Sequence, residues 1–100
     1  MKVKHFLQLL LNTTPLQAIS LILTATDDQI IAISEIAYNL IQLPLKGKEK
    51  DLIKKRQKIL KKISNKNLTL KKKQELIQRH RKIIINILLF FKQKLIELLK

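Results

Sequence analysis

The sequence predicts an all-α protein, a compact bundle of about five helices of which the last is long and amphipathic. Three observations support this prediction. Apolar residues make up 46% of the 100 residues and are mostly Leu and Ile, and with Lys and Gln they give a composition suited to helices. One Gly and two Pro leave few positions for the tight turns of β-hairpins. Helix-start signals recur along the chain, separated by apolar residues at helical spacing.

The first 43 residues are predicted to form an apolar helical hairpin region. Apolar residues at helical spacing predict a short helix over residues 2–11. Thr14 begins a capping box that ends at Gln17, with proline at the first helical position. The helix that it opens, over about 15–25, is apolar on nearly every side, so we expect it to be buried.

A second capping box, Thr26-Asp27-Asp28-Gln29, opens the next helix. Its two carboxylates lie at the positive end of the helix dipole, which explains them better than a catalytic dyad or a cation site does. The helix is expected to expose Ser34 and to run to about Leu43. Pro44 ends it, because the residue before a proline is pushed out of the α region. Residues 44–47 form the one clear joint of the chain.

Residues 48–100 complete what we predict to be a single domain, and they begin with an amphipathic helix over about 48–64. Two opposed arcs of this helix, each about 120° wide, differ in character. The apolar arc holds Leu52, Ile53, Ile59, Leu60 and Ile63, and the basic arc holds Lys54, Lys55, Lys58, Lys61 and Lys62. Arg56 falls in the apolar arc, so either its guanidinium reaches the rim or it pairs with Glu35 or Glu49.

A turn over residues 64–67 precedes the last predicted helix, for which Thr69 is a suitable cap. No Gly or Pro interrupts residues 70–100. The sequence therefore fits one straight helix some 46 Å long, at about 1.5 Å per residue, and it fits equally a helix kinked near Arg79–Lys82. From Ile83 onward the helix is apolar outside a narrow polar strip, so the first half of the chain, a second copy or a lipid interface must cover it. The residues assigned to such an oligomer or membrane face are Ile84, Leu88, Phe91, Leu95 and Leu98.

Positive charge is concentrated in residues 46–82. This segment holds sixteen Lys or Arg and three acidic residues, so its net charge is +13 of the formal +14 of the whole chain. Charge at this density opposes compaction unless a negatively charged partner meets it. Lys far outnumbers Arg, and the segment has no aromatic residue, which favours phosphate contacts over base reading or base stacking. The residues predicted to bind nucleic acid are Lys54, Lys55, Lys58, Lys61, Lys62, Lys71, Lys72, Lys73, Arg79, Arg81 and Lys82.

Other classes of function find little support in the sequence. There is no Cys, the two histidines lie in different predicted helices, and no metal-ligand spacing or Gly-rich phosphate loop occurs. We therefore expect no enzymatic activity, cofactor or metal. The sequence contains no run of 18 uncharged apolar residues, so a helix that spans a membrane is not predicted. A charged start precedes a short apolar run at the N-terminus without a small-residue cleavage site, so secretion is not expected.

Several stretches in residues 10–76 carry a family resemblance. They are Leu9–Leu11 followed by Thr14, Ile30–Leu40, the joint Pro44-Leu45, the Lys-rich helix ending at Ile63, and Leu68–Lys73. In this order and spacing they resemble a family of small Lys-rich proteins encoded beside capsid genes in Maverick/Polinton-type elements and in adintoviruses. The family continues with a tail that contains Gly and Pro, whereas residues 74–100 contain neither. The resemblance implies a virion-associated or genome-associated accessory protein, located in the virion or in the nucleus or cytoplasm of a host cell.

Three functions fit these features. The first is a helical domain, self-associating through its last helix, that binds and condenses nucleic acid without sequence preference. The second is a membrane-active protein whose residues 83–99 lie in an anionic lipid interface. The third is a structural protein whose basic face binds an acidic protein such as a capsid wall. The charge pattern favours the first, against the alternative that the lysines only keep an apolar domain soluble.

Overall fold

Seven α-helices make up the part of the chain that the computed structural model describes, residues 2–98 with the side chains of residues 5–97. The all-α class is confirmed. In chain order the helices are α1 (Lys2–Leu11), α2 (Pro15–Leu23), α3 (Asp27–Gln42), α4 (Gly47–Ser64), α5 (Leu70–Arg79), α6 (Arg81–Phe90) and α7 (Lys92–Leu98). One apolar core includes buried side chains from every helix, from Phe6 in α1 to Leu95 in α7.

The predicted helix starts are present as hydrogen-bonded caps. Thr14 Oγ1 accepts from the Gln17 backbone N–H at 3.2 Å, and the Gln17 side chain accepts from the Thr14 N–H at 3.3 Å. Thr26 and Gln29 form the same reciprocal pair at the start of α3. Thr69 caps α5. Each cap satisfies backbone donors that the first turn of a helix leaves unpaired, so these starts are fixed by residues three positions apart.

The second helix is less buried than its composition predicts. Only Ala18 and Ile22 of α2 are buried, whereas Leu16 is 76% exposed. The nine-residue helix packs one side against α6, α5 and α1 and leaves its other side at the surface. A short helix whose residues are apolar all round still buries only the side on which neighbouring helices lie.

The third helix occupies the centre of the fold. It packs against α1, α4 and α5, most extensively against α4. Seven of its sixteen residues are buried, including Ile30, Ile33 and Leu40. The predicted apolar arc of α4 supplies the buried residues Ile53, Leu60 and Ile63. The arrangement therefore turns the basic arc of α4 away from the core.

One polar side chain, Ser34, is buried in the described core, at 6% exposure. The helical pattern predicts it to be exposed, and this prediction is wrong. Its hydroxyl donates to the Ile63 carbonyl at 2.7 Å and accepts from Lys73 Nζ at 2.8 Å. Ser34 thus joins α3 to the C-terminal end of α4 and to α5. The hydrogen bonds to both partners explain why the hydroxyl tolerates burial.

We expect Ser34→Ala to lower the free energy of unfolding by about 1–3 kcal/mol, because it leaves a buried carbonyl and an ammonium group without their partner. Urea denaturation followed by circular dichroism measures this loss. Ser20→Ala is the matched control, since Ser20 is exposed and contacts only the Leu16 carbonyl of its own helix, at 3.4 Å. The control should change stability by at most about 0.5 kcal/mol. Equal effects of the two substitutions would contradict a stabilising role for the Ser34 bridge.

The prediction of a long last helix is wrong, and so is the predicted number of about five helices. Residues 70–98 are divided into α5, α6 and the seven-residue α7, with breaks at His80 (φ −105°, ψ 24°) and Phe91 (φ −97°, ψ 16°). At the first break Arg81 Nη1 donates to the Gln78 carbonyl at 2.8 Å. The kink that the sequence allowed therefore lies at His80. A straight helix of about 46 Å would exceed the molecule, whose extents are 33 × 29 × 25 Å.

The breaks fold the apolar tail back onto the first half of the chain. Four residues assigned to an oligomer or membrane face, Ile84, Leu88, Phe91 and Leu95, are buried in the chain's own core. The side chain of Leu98, the fifth, lies outside the described residues. Lys94 Nζ pairs with Glu49 Oε1 at 3.2 Å and links α7 to the start of α4. The sequence left three ways to cover the apolar side of the tail: the first half of the chain, a second copy or a lipid interface. In the fold the first half of the chain covers these four residues, so they are not available at the surface.

Candidate nucleic-acid interface

Five exposed lysines define one surface of α4, which we call the lysine stripe: Lys54, Lys55, Lys58, Lys61 and Lys62. All five lie opposite the buried residues Ile53, Leu60 and Ile63, as the helical periodicity predicts. Lys54 and Lys62 are eight positions apart on α4, so the stripe is about 12 Å long, which equals the length of roughly three to four base pairs of duplex. The stripe is thus long enough to contact several successive phosphates of one backbone.

The predicted basic residues of α5 divide into two groups. Lys71 and Lys72 are exposed in its first turn, and the turn that connects them to the end of α4 adds the exposed Lys66. Because α4 and α5 also pack against each other, these lysines continue the positive surface beyond the stripe. Lys73 is half-buried, with its ammonium group directed at the Ser34 hydroxyl. It therefore ties α5 to α3 and lines a cleft between these helices, and it does not extend the lysine stripe.

Three further predicted residues lie at the break between α5 and α6. Arg79 and Lys82 are exposed, whereas Arg81 is half-buried and donates to the Gln78 carbonyl. Arg79 lies eight positions after Lys71 on α5, a rise of about 12 Å. The structure therefore does not place all eleven predicted residues on one helix face. It provides the stripe with its extension at one end of α5 and a smaller basic group at the other end.

The positive charge of the stripe is not neutralised within the described part of the chain. There, the carboxylate of Glu49 pairs with Lys94, and none of the five stripe lysines forms an ion pair. Arg56 is half-buried and pairs with neither Glu35 nor Glu49, which leaves the interpretation that its guanidinium reaches the rim of the apolar arc. Unpaired like charges on one helix face produce a positive potential that attracts polyanions.

The described residues hold neither a cluster of metal ligands nor a single helix able to cross a membrane. No group of three or more His, Asp or Glu side chains there is placed to hold a metal ion. None of the described helices has, by itself, the length and apolar character needed to cross a membrane. Only α2 and α3 taken together meet that criterion, and the chain bends by 119° between them.

A cleft between α3, the end of α4 and the start of α5 contains exposed residues that the sequence pattern did not mark as functional. Tyr38 and Ile31 are exposed on α3 and line the cleft together with Lys66 and Lys73. The sequence contained one signal, since residues 31 and 38 are seven positions apart and share a helix face. That signal shows that the two residues lie on one helix face, two turns apart, but it does not show which lysines lie beside them.

No family model, curated protein or solved structure matches this chain, so the resemblance to the Lys-rich proteins of Maverick/Polinton-type elements and adintoviruses stays a prediction and the function is argued from the site.

Proposed function

We propose that this protein binds nucleic acid through its phosphates, without sequence preference, and condenses it, as an accessory protein of a virion or of a viral genome. The observation that carries the proposal is the lysine stripe. Its five ammonium groups are exposed on one face of α4, opposite the core, and form no ion pair with described residues.

The chemistry of lysine suits contact with phosphate rather than with bases. An ammonium group is a compact point charge that meets any phosphate oxygen, whereas base reading relies on bidentate groups placed at the groove edges. Phosphates are the same at every base pair, so a surface of lysines binds all sequences about equally. The driving force is the release of the cations that were condensed on the nucleic acid.

Condensation follows from charge neutralisation. The formal charge of +14 on one chain equals the phosphate charge of about seven base pairs of duplex. Arg79 and Lys82 lie at the opposite end of α5 from Lys71 and Lys72, so one molecule presents positive groups in two places. This allows one chain to contact two duplex segments even without self-association.

The test is the salt dependence of the affinity for duplex DNA. With five phosphates neutralised by the stripe, we expect a log–log slope of about −4.5, which is roughly a 500-fold loss of affinity between 50 and 200 mM salt. Fluorescence anisotropy with a labelled duplex measures this slope. A second duplex with a shuffled sequence is the control and should give the same affinity within about two-fold. A flat salt dependence would contradict the proposal.

The other two functions differ in what the structure offers them. A protein that binds an acidic capsid surface would use the same lysine stripe. Strong binding of duplex DNA would favour the nucleic-acid function over the capsid function. Membrane insertion of the tail requires Phe91 and Leu95, which are buried in the core. Exposing them would cost the chain the burial energy that holds the fold together. Nucleic-acid binding needs no such rearrangement.

A further inference from the structure

The cleft between α3, the end of α4 and the start of α5 has the size and composition of a ligand site. Its volume is about 430 Å³, which lies in the range of pockets that hold small molecules. We call it the Tyr38 cleft. Its lining residues are Ile31, Ser34, Glu35, Tyr38, Asn39, Ser64, Lys66 and Lys73. The set combines an exposed aromatic ring, an exposed aliphatic side chain and two ammonium groups.

The aromatic ring of the cleft is open to a partner. Tyr38 is 50% exposed although its ring is a large apolar surface, and Ile31, two helical turns before it, is exposed to a similar extent. Covering the exposed ring with a flat apolar group is favourable, and a nucleobase offers a π-face of this kind. In a duplex both faces of each base are already stacked, so only an unpaired base can use the ring.

A positive charge is held close to the ring. Lys73 Nζ lies 2.8 Å from Ser34 Oγ, and Ser34 is one helical turn, about 6 Å along the axis, from Tyr38 on the same face of α3. An ammonium group has three N–H donors, and Ser34 takes one of them. Among the described residues the other two have no acceptor. Lys66 adds a second ammonium group to the same cleft.

We propose that the Tyr38 cleft binds one unpaired nucleotide, with the base stacked on Tyr38 and the adjoining phosphate held by Lys66 and Lys73. The carboxylate of Glu35 also lines the cleft; it repels phosphate and accepts hydrogen bonds from the amino group of a base. It thereby favours the orientation in which the phosphate lies at the lysines. This inference rests on the proposed function and extends it, because it predicts that single strands make a contact that duplexes lack.

The inference reverses one conclusion from the sequence. The basic segment contains no aromatic residue, which argues against base stacking. Tyr38 lies outside that segment, on α3, and the packing of α5 against α3 brings Lys73 to it. Base stacking therefore becomes available through a tertiary contact.

The intrinsic fluorescence of the protein tests the proposal directly. Tyr38 is the sole tyrosine of the chain and there is no tryptophan, so the tyrosine emission reports on this one residue. We expect a single-stranded oligodeoxynucleotide of about ten residues to lower the emission about two-fold or more, because the base stacks on the ring. An abasic oligonucleotide of equal length keeps the phosphates and should leave the emission unchanged, as should a duplex.

A substitution provides the second measurement. Tyr38→Ala should weaken single-strand binding about 5- to 100-fold, the range that loss of one stacked base predicts, and should leave duplex affinity unchanged. Tyr38→Phe is the matched control and should keep single-strand affinity. Because Tyr38 is half-exposed, both variants are expected to fold, which circular dichroism verifies. Unchanged emission with single strands, or a Tyr38→Ala variant with full single-strand affinity, would overturn the inference and leave the proposed function standing. A duplex affinity that does not depend on salt would instead overturn the proposed function.

Discussion

Replacing Phe91 with alanine is expected to lower the free energy of unfolding by about 3–5 kcal/mol. Phe91 is 1% exposed and is among the largest fully buried side chains. It lies at the break between α6 and α7, where the apolar tail turns back into the core. A domain of this size has a total stability of about 5–15 kcal/mol, so the loss is a large fraction of the whole. Urea denaturation followed by circular dichroism at 222 nm measures it.

The neighbouring phenylalanine provides the control for this prediction. Phe90 is 49% exposed and meets Phe91 in an edge-to-face contact with ring centroids 5.2 Å apart. Phe90→Ala removes that pair contact and about half as much buried surface, so it should cost about 1–2 kcal/mol. If Phe90→Ala proves to be the costlier substitution, then Phe90 rather than Phe91 is the side chain that is buried at this break. A denaturation midpoint that rises with protein concentration would show that association with a second copy also contributes to the stability.

Replacing Lys54, Lys58 and Lys61 of the lysine stripe with glutamine together should reduce the salt slope of duplex binding by about 2.7, which is 0.9 for each phosphate contact removed. If each contact is purely electrostatic and vanishes at 1 M salt, the affinity at 0.1 M falls about 500-fold. The three side chains are exposed on α4, so the variant should keep its helicity. Fluorescence anisotropy at four or more salt concentrations measures both quantities.

A second triple variant separates the stripe from the overall charge. Gln8, Gln42 and Gln93 are exposed and lie outside the basic segment, and replacing all three with glutamate lowers the formal charge by three, from +14 to +11, as the lysine variant does. The glutamates keep the shape of the glutamines. We expect the salt slope of this control to stay within about one unit of the unmodified protein. Equal losses in both variants would mean that binding follows net charge, and that the stripe is not the contact surface.

The helix starts were predictable because the interactions that fix them are local. Thr14 with Gln17, and Thr26 with Gln29, form hydrogen bonds over three residues, so the sequence contains the whole arrangement. The two faces of α4 were predictable for a similar reason. A helical repeat places Lys54 and Lys58 on one side and Ile53 and Leu60 on another, wherever the helix docks.

The sequence allowed a kink near Arg79–Lys82 without deciding for it, and it contained no signal for the break at Phe91, because no Gly or Pro marks either position. Residues 70–98 have the composition of a continuous helix, and local preferences alone would keep them straight. Burying Ile84, Leu88 and Leu95 against the first half of the chain requires a shorter, bent path. The gain from this burial outweighs the backbone hydrogen bonds that are rearranged at each break.

The sequence by itself determined the helical class, the positions of the capped helix starts and the basic face of α4, since each depends on residues within a few positions of one another. Only the tertiary structure decided that the apolar tail is covered by its own chain, that Ser34 is buried between Ile63 and Lys73, and that Tyr38 shares a cleft with two lysines. These features join residues far apart in the sequence: the two hydrogen bonds of Ser34 span 29 and 39 positions, and the pair Glu49–Lys94 spans 94 − 49 = 45. Which distant surfaces meet depends on how all seven helices fill one core, and no single segment contains that information.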